Sequence, residues 1–169
     1  LNNSTIFRWN RPCYGVADGV AHVRIENRYI PSGPSIHDEM ANFAFWVGLM
    51  KGRPKEYDDM QSAMDFREAK NNFIKAARTG KESVMNWNNK PISNRELVEK
   101  ILLPIAYDGL KKCNIDSSDI ERYLGIIEKR TRTHTGSQWM VRNYRKLRGE
   151  LKQDDALLAL TKTLYHNQH

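Results

Sequence analysis

Residues 31–34 read Pro-Ser-Gly-Pro, and this tetrapeptide divides the chain into two patterns. Two prolines without amide donors and one glycine force a loop. Ahead of it, TIFRWNRPCY (5–14) and AHVRIENRYI (21–30) are rich in β-forming residues, and the intervening GVADG supplies turn chemistry, which predicts a β-hairpin. Pro12 belongs near the end or on the edge of its strand. Beyond the tetrapeptide, apolar residues recur every three or four positions as far as the C-terminus. The expected fold class is α+β, mainly α: an N-terminal hairpin over residues 1–33, followed by a bundle of five or six helices over 34–169, the whole read as a single unit. No repeat of fixed period, low-complexity segment or Gly/Ser/Pro-rich linker divides it further.

The helical signals carry their own punctuation. Ser35 with Asp38 three positions on is a capping signal. The helix behind it places Met40, Phe43, Ala44, Val47 and Met50 on one stripe, widened by Phe45, Trp46 and Leu49, and ends at Gly52 and Pro54. That stripe is expected to be core. A second helical region covers 57–79, broken near Met64 and stopped at Gly80; SVMNWNNKPIS reads as irregular or briefly extended. Ser93 and Glu96 form a capping-box pattern before a helix carrying Leu97, Ile101, Ile105 and Leu110, which Pro104 is placed to kink. Asp116, Ser117 and Ser118 offer caps to the next helix. Helices near 137–148 and over DDALLALTKTLYHNQ close the chain.

Composition narrows the function classes. With 40% hydrophobic residues in 169, the chain has material for a true core. Its most apolar run, FAFWVGLM, is far short of a membrane span, so no membrane partner is expected. Cys13 and Cys113 stand a hundred positions apart without a CxxC or Cys/His cluster, which indicates neither a zinc site nor a disulfide framework and makes a reducing cytoplasm the default. The net charge of +7 raises nucleic acid as a partner, but the cations are scattered and mixed with acids, as on solvated helix faces. A continuous stripe through Arg130, Arg132, Arg142, Arg145, Lys146 and Arg148 would be the mark of a basic module that binds nucleic acid or a protein partner.

The feature that asks for chemistry is RIENR. On a strand, Arg24, Glu26 and Arg28 project from one face while Val23 and Ile25 project from the other. Two guanidiniums can hold a polyanion in fixed fork geometry while a carboxylate takes a hard divalent cation such as Mg²⁺. The plainer account is a ladder of surface ion pairs, worth about 0.2–1 kcal/mol each. His22 and His37 flank the row and read as surface residues. THTGSQW reads as an N-cap before an anion site.

The segment RIENRYIPSGPSIHDEMANFAFWVGLMKG resembles the glutamine synthetase superfamily, in which an R-I-E-x-R strand near the end of the catalytic sheet leads through a Pro-containing loop into an apolar helix ending in Gly. NNFIKAARTG and the later TGSQW resemble the carboxylate-amine ligase branch, the glutamate–cysteine ligase family 2 proteins. The resemblance covers the chain from about residue 20 onward. It implies an antiparallel sheet that binds ATP, Mg²⁺ and an amino acid, with glutamate suspected, and a reaction in which an acyl phosphate is attacked by an amine acceptor, as in glutathione biosynthesis. By position it implies Glu26 as metal ligand and Arg24 as the cofactor-binding arginine on the nucleotide phosphates. Arg28 and Arg78 are implied as catalytic arginines near the substrate carboxylate or the transferred phosphoryl group. In some ligases of this branch the acidic residue falls one position later, where this chain has Asn27. The family's other metal-binding glutamates lie on strands ahead of residue 1. The chain is therefore expected to be the C-terminal portion of a ligase, inactive without its N-terminal half. Its hairpin edges are expected to pair with further strands or with another copy of the chain.

Overall fold

A computed structural model of the chain describes residues 10–28, 30 and 33–168. The expected strand start at residues 5–9, together with Tyr29, Pro31 and Ser32 of the loop, lies outside them. The chain divides into two compact units, Leu1–Gly33 and Pro34–His169.

The first unit is an antiparallel hairpin of β1 (Arg11–Ala17) and β2 (Val20–Glu26). Only Asp18 and Gly19 form the turn, with φ of 51° and 75°. Positive φ at both central residues is the requirement of a type I′ turn, whose twist matches that of the strands it joins. Gly15, Val16 and Ala17, expected in the turn, therefore belong to β1. A two-residue turn also fixes the register, pairing Ala17 with Val20, Cys13 with Arg24 and Arg11 with Glu26. One face carries Pro12, Tyr14 and Val16 against Ile25, Val23 and Ala21; Tyr14 and Val23 are about 70% exposed, at 71% and 70%. The opposite face carries the charges. Among the described residues no third strand joins either edge.

The second unit opens with α1 (Ile36–Gly52), capped as the sequence predicts: the Asp38 amide donates to Ser35 Oγ. A short 3₁₀ turn (Lys55–Asp59) and α2 (Met60–Ala63) precede the break at Met64, and Asp65 caps α3 (Phe66–Thr79). A second hairpin follows, β3 (Val84–Trp87) and β4 (Lys90–Ser93), where the sequence suggested little more than extended chain. Its turn residues Asn88 and Asn89 both have positive φ, a conformation asparagine tolerates better than most residues. Next, α4 (Asn94–Leu97), a π segment (Val98–Leu102) and α5 (Leu103–Lys112) run on as one helix. Pro104 offers no amide to the carbonyl four residues back, and the wider π turn lies where that bond is missing. Then come α6 (Ser117–Arg132), α7 (Gly136–Arg148) and α8 (Gln153–His166). Seven helical runs are thus described, and the class is α+β, mainly α. The four-residue α2 takes the count past six.

The core lies where α1, α5 and α6 meet, with Ala41, Ala44, Leu103, Ala106, Leu110, Ile120, Leu124 and Ile127 buried together. The α1–α5 contact is the most extensive between helices. It is made by small residues. A Cβ on Gly109 would stand 1.9 Å from the Gly48 carbonyl oxygen, and one on Gly52 1.9 Å from that of Ile105. Here the sequence reading needs correcting. Of the stripe of Met40, Phe43, Ala44, Val47 and Met50, Ala44 is in the core and Val47 packs against it with Phe45 and Leu49, but Phe43 is 60% exposed, and Met40 and Met50 39% each. Close backbone approach selects Ala41, Ala44, Gly48 and Gly52 for the contact and leaves Met40, Phe43 and Met50 outside it.

Candidate functional site

The charged face of the β1–β2 hairpin is assembled by its register. Opposite Glu26 stands Arg11, opposite Arg24 stands Cys13, and opposite His22 stands Gly15. Arg11 Nη2 lies 2.8 Å from Glu26 Oε2, and Arg28 Nε lies 3.9 Å from the same oxygen. Cys13 Sγ donates to Glu26 Oε2 over 3.3 Å and accepts from Arg11 Nε over 3.3 Å. Gly15 leaves room for the side chains opposite: a Cβ there would meet Arg24 Nη1 at 2.7 Å and His22 Nε2 at 2.8 Å.

The electrostatics follow from these contacts. The Cys13 thiol hydrogen bond, then the Arg11 and Arg28 charges, hold the Glu26 carboxyl below the usual carboxylate range. Arg11 is correspondingly raised, by Cys13 first and Glu26 second. Arg11 and Arg24 lie on the strand pair and Arg28 just past the end of β2, with Glu26 the one carboxylate among the residues of the two strands. A cross-strand Arg11–Glu26 pair is ordinary hairpin chemistry. Among the described residues, the guanidiniums of this face offer donors that phosphate or carboxylate oxygens would meet.

Of the residues singled out in the sequence, Glu26 and Arg28 are brought together, while Arg24 shares the strand face with Glu26 and lays its guanidinium over Gly15. Arg11 and Cys13 were missed, although a two-residue Asp-Gly turn was sufficient to place them opposite Glu26 and Arg24. Arg78 lies in the second unit, exposed on α3, with no ion-pair partner among the described residues. Around it the AARTG segment is tightly tied. Gly80 takes φ 56° and ψ −126°, outside the range of residues with a Cβ, and its carbonyl accepts from Asn94 Nδ2 at 3.0 Å and from the buried Ser83 Oγ at 2.5 Å. The Asn72 amide pairs with the Asn86 backbone in both directions, at 2.7 and 2.9 Å, standing in for a neighbouring strand.

His37 Nε2 meets Arg122 Nη2 at 2.6 Å, and the THTGSQW segment forms a full capping box between Thr135 and Gln138 at the start of α7. Four of the six cations of the basic stripe are engaged within the fold, Arg142 with His134 and Arg148 with the Leu151 carbonyl among them. Arg130 bonds Asp38 and Asn42, both at 2.7 Å, and Arg132 pairs with Glu99 and Glu128. Among the described residues no three His, Cys, Asp or Glu side chains come together as a metal cage. Mg²⁺ in nucleotide sites is commonly held by one or two carboxylates and the substrate phosphates, a donor set to which Glu26 fits as a single protein oxygen ligand. Comparison with protein-family models, curated proteins and solved structures finds no match.

Proposed function

We propose that this chain is the C-terminal part of an ATP-dependent carboxylate-amine ligase of the glutamate–cysteine type. The observation that carries the reading is the placing of Arg11 and Arg28 against the ionised Glu26, with Arg24 further along the same face of a hairpin whose other face is apolar. A two-stranded sheet with an exposed apolar face is a poor end state in water, and further strands would cover it and extend the charged face into a cleft. In that cleft Arg24 meets nucleotide phosphates, Glu26 binds Mg²⁺, and Arg28 steadies the oxygens of the acyl group that takes the phosphoryl. Arg78 is a substrate-side arginine. Bound Mg²⁺ neutralises phosphate charge; the arginines orient the reacting groups and stabilise charge developing on oxygen. Glutamate is the proposed donor, the acceptor is an amine, and the compartment is the cytoplasm.

The test uses the polypeptide encoded by the complete reading frame, assayed for phosphate release with ATP, Mg²⁺, glutamate and a panel of amines. Amine-dependent release is expected. Glu26→Gln should lower it at least ~100-fold, a loss typical of removing a charge-stabilising group, while Arg11→Met lowers it far less. Absence of amino-acid-dependent release, or equal effects of the two substitutions, would reduce the row to a surface ion pair. The 169-residue chain by itself should consume no ATP.

A further inference from the structure

Gly15 sits in the middle of β1, directly opposite His22, and is not among the glycines with positive φ. Neither the turn nor a left-handed backbone accounts for it, and glycine weakens the interior of a strand. What it supplies is room. Arg24 Nη1 and His22 Nε2 both lean over its bare main chain, at 2.7 and 2.8 Å from where a Cβ would stand. The two nitrogens flank one point, close enough for a single phosphoryl group to accept a hydrogen bond from each. Neither side chain has a hydrogen-bond or ion-pair partner among the described residues: Arg11 and Arg28 reach Glu26, and Arg24 does not.

We infer that His22 and Arg24 form a clamp over Gly15 that takes phosphoryl oxygens, which makes His22 a phosphate-binding residue beside Arg24. The inference rests on the ligase reading for the source of that phosphate, the polyphosphate chain of ATP; the clamp itself is made wholly within the hairpin. The ligand class follows from the donors. A guanidinium presents N–H groups in a fixed fork and accepts nothing. The neutral imidazole carries one N–H, and with neither ring nitrogen engaged its proton is free to sit on Nε2. Donors without an acceptor suit a group that only accepts. A carboxylate is matched by the Arg24 fork alone, whereas a phosphoryl group offers a further oxygen for the imidazole. Glu26, the one carboxylate on the two strands, is engaged by Arg11 and Cys13 and does not compete for Arg24. The glycine floor lets the anion come close to the main chain.

Inorganic pyrophosphate titrated into the 169-residue chain is the probe. Histidine ring resonances locate it by NMR: His22 is expected to shift saturably, while His37 and His134, each beside an arginine of the helical unit, stay near their starting values. Calorimetry gives the affinity. Gly15→Ala and His22→Leu should each weaken it at least ~10-fold, the worth of one hydrogen bond to a charged group. The methyl added by Gly15→Ala need only displace the ends of two flexible side chains, and cross-strand contact between the Ala17 and Val20 backbones verifies the hairpin in each variant. No saturable shift at His22 overturns the inference. So do equal shifts at the three rings, which would reduce the effect to general attraction by a chain of charge +7, or an affinity that neither substitution changes. Pyrophosphate held at His22 without amine-dependent phosphate release in the complete polypeptide would sink the ligase reading and keep the clamp; ligase activity that both substitutions leave intact would do the opposite.

Discussion

A thiol hydrogen bond is the first cause holding the Glu26 carboxyl below the usual carboxylate range. Because Cys13 is the first cause of the lowered Glu26 pKa, Cys13→Ala should move that pKa up toward the ordinary value near ~4.3. A titration of the Glu26 side-chain carbon by NMR measures it. The sign of the stability effect is fixed by the direction. A carboxyl lowered in the folded state stabilises the hairpin above its unfolded pKa, and that contribution is lost as pH falls through the folded one. An unchanged Glu26 titration in the variant would mean that Arg11 and Arg28 hold the charge without help. Alternation alone was enough to find Arg24 and Glu26 in the sequence. Arg28 lies past the last residue of β2, so its approach to Glu26 depends on backbone that strand periodicity does not describe. Cys13 looked inert in the sequence because a lone thiol has no spacing signal; only pairing across the strands gives it a role.

Elements were readable where the signal is local. Ser35, Ser93, Asp116 and Thr135 each cap the helix they precede, as does Asp65, which the sequence reading passed over, and in each case the bond spans two or three residues. Partner choice was not readable. Hydropathy ranks Phe43 above Gly48, whereas the α1–α5 crossing is decided by how near two backbones can come. Gly109→Ala tests that crossing, since its added carbon lands on the Gly48 carbonyl with no flexible side chain to yield. Overpacked cores commonly lose 1–3 kcal/mol, and with backbone on both sides the expected loss in chemical denaturation is about 3 kcal/mol. A loss below ~0.5 kcal/mol, the level of ordinary surface substitutions, would mean the helices sit farther apart. The β3–β4 hairpin escaped the sequence reading for another reason. Its strands are four residues each, too short for a period, and Asn72 on α3 completes the pairing of β3 from outside.

Across the whole molecule the net charge is +7, but the cations of a would-be continuous basic stripe are partly tied to neighbours in the fold. Arg130 and Arg132 are spent on Asp38, Glu99 and Glu128, and Lys81 donates to the Thr131 and Thr133 carbonyls at the end of α6. Binding to a random DNA duplex should therefore be no tighter than the non-specific range of ~10⁻⁴–10⁻⁶ M at physiological salt. Fluorescence anisotropy across a salt series checks this. Nanomolar binding that falls steeply with salt would favour a nucleic-acid module over a ligase. No described helix is long and apolar enough to cross a membrane.

The glycine contact between α1 and α5 has a mechanical side as well. Two helices whose main chains already touch have no slack to slide or tilt, so any opening and closing around a substrate has to be taken up elsewhere. The pair would travel as one stiff strut, and whatever rests on α1 would travel with it.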